Sequence, residues 1–243
     1  MPLNKAGPQT IQSQLYDYIC DIIQKEEFSA HEKIPSENEL SARFSISRTT
    51  VRAVLSRLVS EQILYRVAGK GTFVAEKKID AVTIGQKGMR EQLEEMDYET
   101  DTVLLSKEET VAGKYVASML GIKPDDTVYK ISRIRYANAV PLSIHTNYLP
   151  KKLFPGIINQ DIEKTPLCDI QKNVYGITAK RGFETLESTV ATSQEAFQLG
   201  VAKGFQFLLL GCTLYTEDNL PFEYSKVIFR GDRIRLEVCV DRV

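Results

Sequence analysis

Two small sets of residues in this sequence have side chains and spacings that could do chemistry. Arg133 and Arg135 stand two apart within Tyr129 to Tyr136, a run of strand-forming residues. Alternation in a strand turns both to one face, together with Tyr129 and Ile131. Two guanidiniums roughly 7 Å apart, at ~3.4 Å of rise per residue, can converge on a single anion. The same spacing also suits two surface arginines paired with glutamates. The second set is Ser47, Arg48, Thr49 and Arg52, followed by a glycine-rich basic tip at Gly69, Lys70 and Gly71. Guanidinium and hydroxyl groups in the first turns of a helix can bond base edges and phosphates. Two glycines let a hairpin tip approach a phosphate backbone closely, and Lys70 adds charge there.

The elements that must position the second set can be read directly. Ile11, Leu15, Tyr18, Ile19, Ile22 and Ile23 recur at helical period and predict a first helix. Ser36 and Glu39 form a capping box just after Pro35, so a short helix starts there, with Leu40 and Phe44 on one side. Ser45-Ile46-Ser47 is a tight turn, and Ser47 suits the N-cap of the next helix. Val51, Val54, Leu55 and Leu58 give that helix a buried stripe, and Arg48, Thr49 and Arg52 fall off it. Ile63 to Val67 and Thr72 to Val74 read as strands around Ala68-Gly69-Lys70-Gly71. Helix, turn, helix and hairpin together make a winged helix-turn-helix, which sets its second helix in the DNA major groove. A three-helix core with a merely solvated arginine face is the competing reading. Cap, spacing, glycine tip and arginine placement all agree with the first.

Charge supports that division of labour. The chain has 43% hydrophobic and 26% charged residues, ordinary for a globular protein, and a net charge of −1. Residues 43–78 alone carry 8 basic against 2 acidic side chains, and residues 79–243 carry 20 against 23. Positive charge is concentrated where DNA would lie. Cys20, Cys168, Cys212 and Cys239 show no paired spacing, so neither a disulfide framework nor a zinc site is expected, and no cofactor. No signal-peptide core and no apolar run near ~18 residues is present, which predicts a cytoplasmic protein. With two histidines, no nucleophile–base constellation and no metal-ligand cluster, the sequence does not read as an enzyme.

Beyond Glu76 the pattern changes. A winged unit over 1–76, a linker over 77–82 and a second domain over 83–243 are expected. Asp126 to Tyr136 and Pro141 to Tyr148 predict one long hairpin; Phe205 to Thr216 and Pro221 to Phe229 predict another. Helices are expected at Asp161 to Asn173 and Ser193 to Gly200, and further strands at Lys180 to Ala191 and Arg235 to Asp241. Hairpins dominate and βαβ repeats are absent, so the fold class is α+β with an antiparallel sheet. Glu223, in a strand between Phe222 and Tyr224, is a further polar candidate for contacting a ligand, or a partner for Arg230.

At these residues the chain resembles a known family. Pro35-Ser36-Glu37-Asn38-Glu39-Leu40, Ser47-Arg48-Thr49-Thr50-Val51-Arg52 and Gly69-Lys70-Gly71-Thr72-Phe73-Val74 are similar to the helix start, recognition helix and wing of GntR-family bacterial regulators. The resemblance implies DNA contacts at Ser47, Arg48, Thr49, Arg52 and Gly69, to which Ser36, Asn38 and Lys70 are added as candidates. Many members have Arg where Asn38 stands; Asn can still bond a phosphate or base, without the charge or the fork. Arg133 to Asn138, Tyr148-Leu149-Pro150, Pro221 to Ser225 and Phe229 to Arg233 resemble the UTRA effector domain of the HutC subfamily. That implies a chorismate-lyase-like fold, a homodimer and a bound effector.

In sugar-phosphate-sensing relatives the R-x-R pair holds phosphate. By the resemblance Lys87, Gly88, Met89 and Arg90, at a helix start, and Thr165, at a later one, add donors there; Phe229 joins the same candidate site. His145 stands where many relatives carry a glutamate. An amino-sugar would lose its carboxylate partner, so a neutral or acidic phosphorylated sugar is expected, unless His145 only packs within the sheet. The expected function is a ligand-responsive repressor that binds a palindromic operator as a dimer and is released by a small metabolite. A lyase-like enzyme fused to a DNA-binding module and an effector-blind architectural DNA binder are the alternatives.

Overall fold

The computed structural model describes residues 9–25, 27–82 and 88–238. The chain forms two units, Met1–Lys78 and Ile79–Val243. In the first, Thr10 accepts a hydrogen bond from the Ser13 amide at 3.2 Å and starts helix α1 (Ile11–Gln24). Ser36 and Glu39 form the full reciprocal capping box at the head of α2 (Glu37–Phe44). Ser45, left-handed at φ 50°, ends α2, and the Ser41 hydroxyl donates to the Ile46 carbonyl at 2.7 Å, closing the turn. Ser47 then caps α3 (Arg48–Ser60) by accepting from the Thr50 amide at 3.1 Å. Strands β1 (Leu64–Val67) and β2 (Gly71–Val74) pair antiparallel as the hairpin.

Leu15, Ile19, Leu40, Phe44, Val51, Leu55, Leu58 and Leu64 meet in one core. Each such side chain contributes about 1.5–3 kcal/mol by leaving water. That burial fixes which side of α3 remains outside. Arg48, Thr49 and Arg52 are exposed.

The second unit opens with β3 (Ile79–Val82), α4 (Met89–Glu95), β4 (Thr100–Val111), α5 (Gly113–Leu120), β5 (Thr127–Ala137) and β6 (Val140–Pro150). It continues through α6 (Leu167–Tyr175), β7 (Arg181–Val190), α7 (Ser193–Gln198), β8 (Gln206–Tyr215), β9 (Pro221–Arg230) and β10 (Ile234–Glu237). Six strands form one sheet in the order β4-β5-β6-β9-β8-β7, every pair antiparallel. Two three-stranded meanders thus meet at the β6–β9 pair. α4 and α6 pack on one face through Met89, Leu93, Leu167 and Ile170; α5 and α7 contribute Val116, Leu120 and Ala196 to clusters with strand residues of opposite parity. Asn138 and Ala139, at φ 48° and 62°, make the tight β5–β6 turn, a backbone suited to a two-residue hairpin.

Three expectations need correction. The supposed linker 77–82 is partly strand: Ile79–Val82 pairs parallel with Ile234–Glu237, because Ile79 and Ala81 alternate into a core with Ile234. The helix expected from Asp161 starts only at Leu167, after Pro166, whose ring fits a helix start and not an interior. The last strand ends at Glu237, and residues 239–243 lie outside the described residues. Among the described residues no helix is long and apolar enough to cross a membrane.

Candidate functional site

Strand pairing builds a polar patch on the sheet face that α4 and α6 cover. Arg133 lies opposite His145, and Arg135 opposite Ser143 and Thr102. His145 in turn faces Val227, and Asn147 faces Ser225. Two residues further along β9, Glu223 points to the same face. Of these, Arg133, Arg135, His145, Asn147, Glu223 and Ser225 line a cavity of about 540 Å³, together with Gly88, Met89, Arg90 and Glu94 at the head and along α4 and Pro166 to Asp169 and Gln171 at the head and along α6.

Arg133 and Arg135 are only 5% and 8% exposed, which removes the surface-pair reading. Arg133 Nη2 donates to Asn147 Oδ1 at 2.7 Å, and Asn147 Nδ2 donates to Glu223 Oε1 at 2.6 Å. Gln171 Nε2 donates to the other Glu223 oxygen, so that carboxylate is held from two sides. Arg230 pairs with Asp232 at 2.7 Å instead of with Glu223. Nε of Arg133 and both Nε and Nη1 of Arg135 are buried with no hydrogen-bond partner. A buried donor left unsatisfied costs about 1–3 kcal/mol, more when charged. Such a cost at a cavity wall marks where an acceptor belongs.

The electrostatics agree. Burial, then repulsion from Arg133 and Arg90, lowers the pKa of Arg135 to about 9, and burial lowers that of Arg133. Burial raises the Glu223 carboxyl, against its hydrogen bonds. His145 is held well below its ordinary value by burial and then by Arg135 and Arg133, so it is neutral at pH 7. Its Nε2 lies 2.9 Å from the Ser143 hydroxyl, and its ring stands edge-on to Phe229 at 5.9 Å. The cavity therefore offers two under-bonded cations beside the bonded Glu223, with Arg90, Glu91, Glu94 and Asp169 as further charged groups in its lining.

Expected contacts separate into three groups. Gly88, Met89, Arg90, Arg133, Arg135, His145 and Glu223 all line the cavity. Arg90 is tethered, with Nε at 2.8 Å from Glu94 and Nη1 at 3.1 Å from the Lys164 carbonyl. Phe229 does not line it; fully buried behind His145, it supports the imidazole. Thr165 is exposed ahead of α6 and also stands apart, because the helix begins two residues later than the assignment required. Lys87 lies outside the described residues. Sequence reasoning missed Asn147 and Gln171. Asn147 could have been found, since it sits two residues from His145 on the same strand; Gln171 depends on tertiary packing.

On the first unit, Ser47, Arg48, Thr49 and Arg52 share the open side of α3, and Gly69 and Lys70 are exposed at the hairpin tip. Asn38 and Ser36 are exposed at the head of α2. Gly71 has φ +130°, a backbone that side chains rarely adopt, and this favours glycine there; the nearest atom to an added Cβ, Lys33 Cε at 2.6 Å, is the movable end of a side chain.

A winged helix-turn-helix joined to a second unit with a polar, cation-lined cavity defines a class, the effector-responsive DNA-binding regulators. Within it the chain belongs to the GntR family of bacterial regulatory proteins, in its HutC-type branch: residues 11–74 match that family's DNA-binding region and residues 95–235 match the UTRA domain. It is 32% identical over 243 residues to the HTH-type transcriptional repressor NagR of Bacillus subtilis (strain 168), covering 100% of both chains. It is 26% identical to the mannosyl-D-glycerate transport/metabolism system repressor MngR of Escherichia coli (strain K12), covering 97% of this chain and 98% of that one. The crystal structure of PhnF from Mycobacterium smegmatis superposes with a TM-score of 0.67 at 23% identity, covering 96% and 99% of the two chains, a likeness of fold. The chain is a transcriptional repressor of this type, not an enzyme.

Proposed function

We propose that the protein represses transcription as a cytoplasmic homodimer on a palindromic DNA operator, and that a small phosphorylated sugar releases it. α3 and the hairpin tip would contact DNA through Ser47, Arg48, Thr49, Arg52, Gly69 and Lys70, with Ser36 and Asn38 at the flank. The observation that carries the effector half is the pair Arg133 and Arg135, buried and short of acceptors at the cavity wall. A phosphate dianion supplies the missing acceptors and opposite charge together. Asn147, Gln171, Glu223 and neutral His145 then suit hydroxyl groups, and the cavity volume admits a hexose phosphate. Release follows as a population shift: effector favours a dimer whose two recognition helices no longer match half-sites one turn apart.

The test is Arg133→Ala. Operator affinity without effector should be unchanged, since the residue lies in the sensing unit. Effector-induced release should need at least about tenfold more ligand, because each charge-assisted bond to an anion contributes roughly 1.5–3 kcal/mol. Calorimetry with a panel of sugars and their phosphate esters should show binding only of esters. Equal binding of a sugar and its ester, or release of the variant at the wild-type concentration, rejects the anion site.

A further inference from the structure

Glu37 is an acid on a face otherwise arranged for phosphate. It is the first residue of α2 but takes no part in the capping box, which Ser36 and Glu39 form. Its carboxylate instead receives Arg52, with Nη2–Oε2 at 2.8 Å, Nε–Oε2 at 3.0 Å and Nε–Oε1 at 3.2 Å. Arg66 of β1 stands 3.6 Å from the other oxygen and donates to the Ser56 hydroxyl at 3.2 Å. One carboxylate thus ties α2, the recognition helix and the wing. The bond from Arg52 holds the Glu37 carboxyl below the usual carboxylate range, so it is ionised at neutral pH.

As a stability device this pair is weak. The Arg52 side chain is 60% exposed, and surface ion pairs contribute about 0–1 kcal/mol. As a binding device a carboxylate next to the phosphate track is unfavourable in itself. The geometry offers something else. Arg52 uses its side-on edge, Nε and Nη2, for Glu37; its end-on edge, with Nη1, stays open toward solvent. That open fork has the shape that bonds guanine O6 and N7 together. A guanidinium on a flexible stem is ordinarily free to slide to the nearest phosphate. Glu37 removes that freedom.

We infer that Glu37 is a specificity-determining positioning residue, which presents the end-on edge of Arg52 to one guanine of each operator half-site. The inference rests on the DNA-reading assignment of α3 made above. Arg66, drawn to the same carboxylate, links the orientation of Arg52 to that of the wing.

The experiment uses the full chain and an operator selected by the wild type from a randomised duplex pool. Fluorescence anisotropy then measures wild type, Arg52→Ala, Glu37→Gln and Glu37→Asp against that operator, all its single base-pair substitutions and a random duplex. Arg52→Ala should lose roughly 5- to 150-fold discrimination at one G·C pair, the span of one bidentate base contact. Glu37→Gln should lose most of the discrimination at that same pair, while its affinity for the random duplex rises, because a negative charge has left the face. Glu37→Asp, too short to hold the fork, should lose the discrimination without the gain on random DNA, which separates positioning from charge. Full discrimination by Glu37→Gln, or equal loss on every sequence, overturns the inference and leaves Arg52 as a phosphate contact. If Arg52→Ala binds operator and random duplex as the wild type does, the α3 interface itself is wrong, and the inference falls with it.

Discussion

Replacing Arg135 with Met should stabilise the sensing unit and silence it at once. Arg135 is a buried cation with two nitrogens lacking partners. Burial, then repulsion from Arg133 and Arg90, brings its pKa down from the ordinary guanidinium range to about 9. At about 1.4 kcal/mol per tenfold change, the fall corresponds to an order of 5 kcal/mol against the charged form. Screening inside proteins reduces such a figure, and buried ions replaced by apolar side chains of similar volume return about 1–4 kcal/mol. A gain near 2 kcal/mol is therefore expected, or about 4–8 °C in the unfolding midpoint of a unit this size. The sign also fixes a pH dependence. Because the folded state binds the proton less tightly, the cost is fully present below about pH 9 and fades as pH rises past it. Calorimetric scans of the full chain at pH 7.5, with and without inorganic phosphate, measure both effects. The wild-type midpoint should rise with phosphate; that of Arg135→Met should start higher and stay put. A variant midpoint below the wild type would refute the reasoning, since it would make Arg135 a structural contact and not a waiting one.

Other changes test the remaining parts. Arg48→Ala should weaken operator binding by about 1–3 kcal/mol while leaving calorimetric phosphate binding untouched; a gel-shift titration at wild-type affinity would remove this residue from the interface. His145 is held well below its ordinary value of roughly 6.5, so the unfolded chain takes up the proton first, and stability drains away as pH falls below about 6.5. His145→Gln should flatten the midpoint between pH 7 and 5; Glu223, shifted upward, acts in the opposite sense in both proteins, and an unchanged slope would show that the imidazole is not buried neutral.

Local signals made the winged unit legible almost residue by residue. Capping box, turn, apolar stripe and glycine tip are all short-range features, and α2, α3 and the hairpin fall where those features put them. The sensing unit was legible where strands alternate and are buried, as in β5, β6, β8 and β9. It was opaque at β4, an edge strand whose Ser106-Lys107-Glu108-Glu109-Thr110 run is mostly exposed and charged, as edges that avoid pairing with other chains are. The arginine pair could be put on one face from spacing alone. That it would be buried could not, because its burial is imposed by α4 and α6 from elsewhere in the chain. Thr165 and Phe229 lie off the cavity for a related reason: a helix start shifted by a proline, and an aromatic behind the wall instead of in it.

The parallel ribbon of β3 and β10 has a bearing on how the protein is made. Its two strands are separated by about 150 residues, from Val82 to Ile234, so the sensing unit cannot close until that whole stretch has been synthesised. Everything the winged unit needs has emerged long before. At roughly 5–20 residues per second, a growing chain spends on the order of ten to thirty seconds with a finished DNA-reading unit and an unclosed sensor. During that interval the winged unit has its whole core while β3 still waits for its partner strand. Cutting the chain ahead of Ile234 would leave β3 without its partner strand for good.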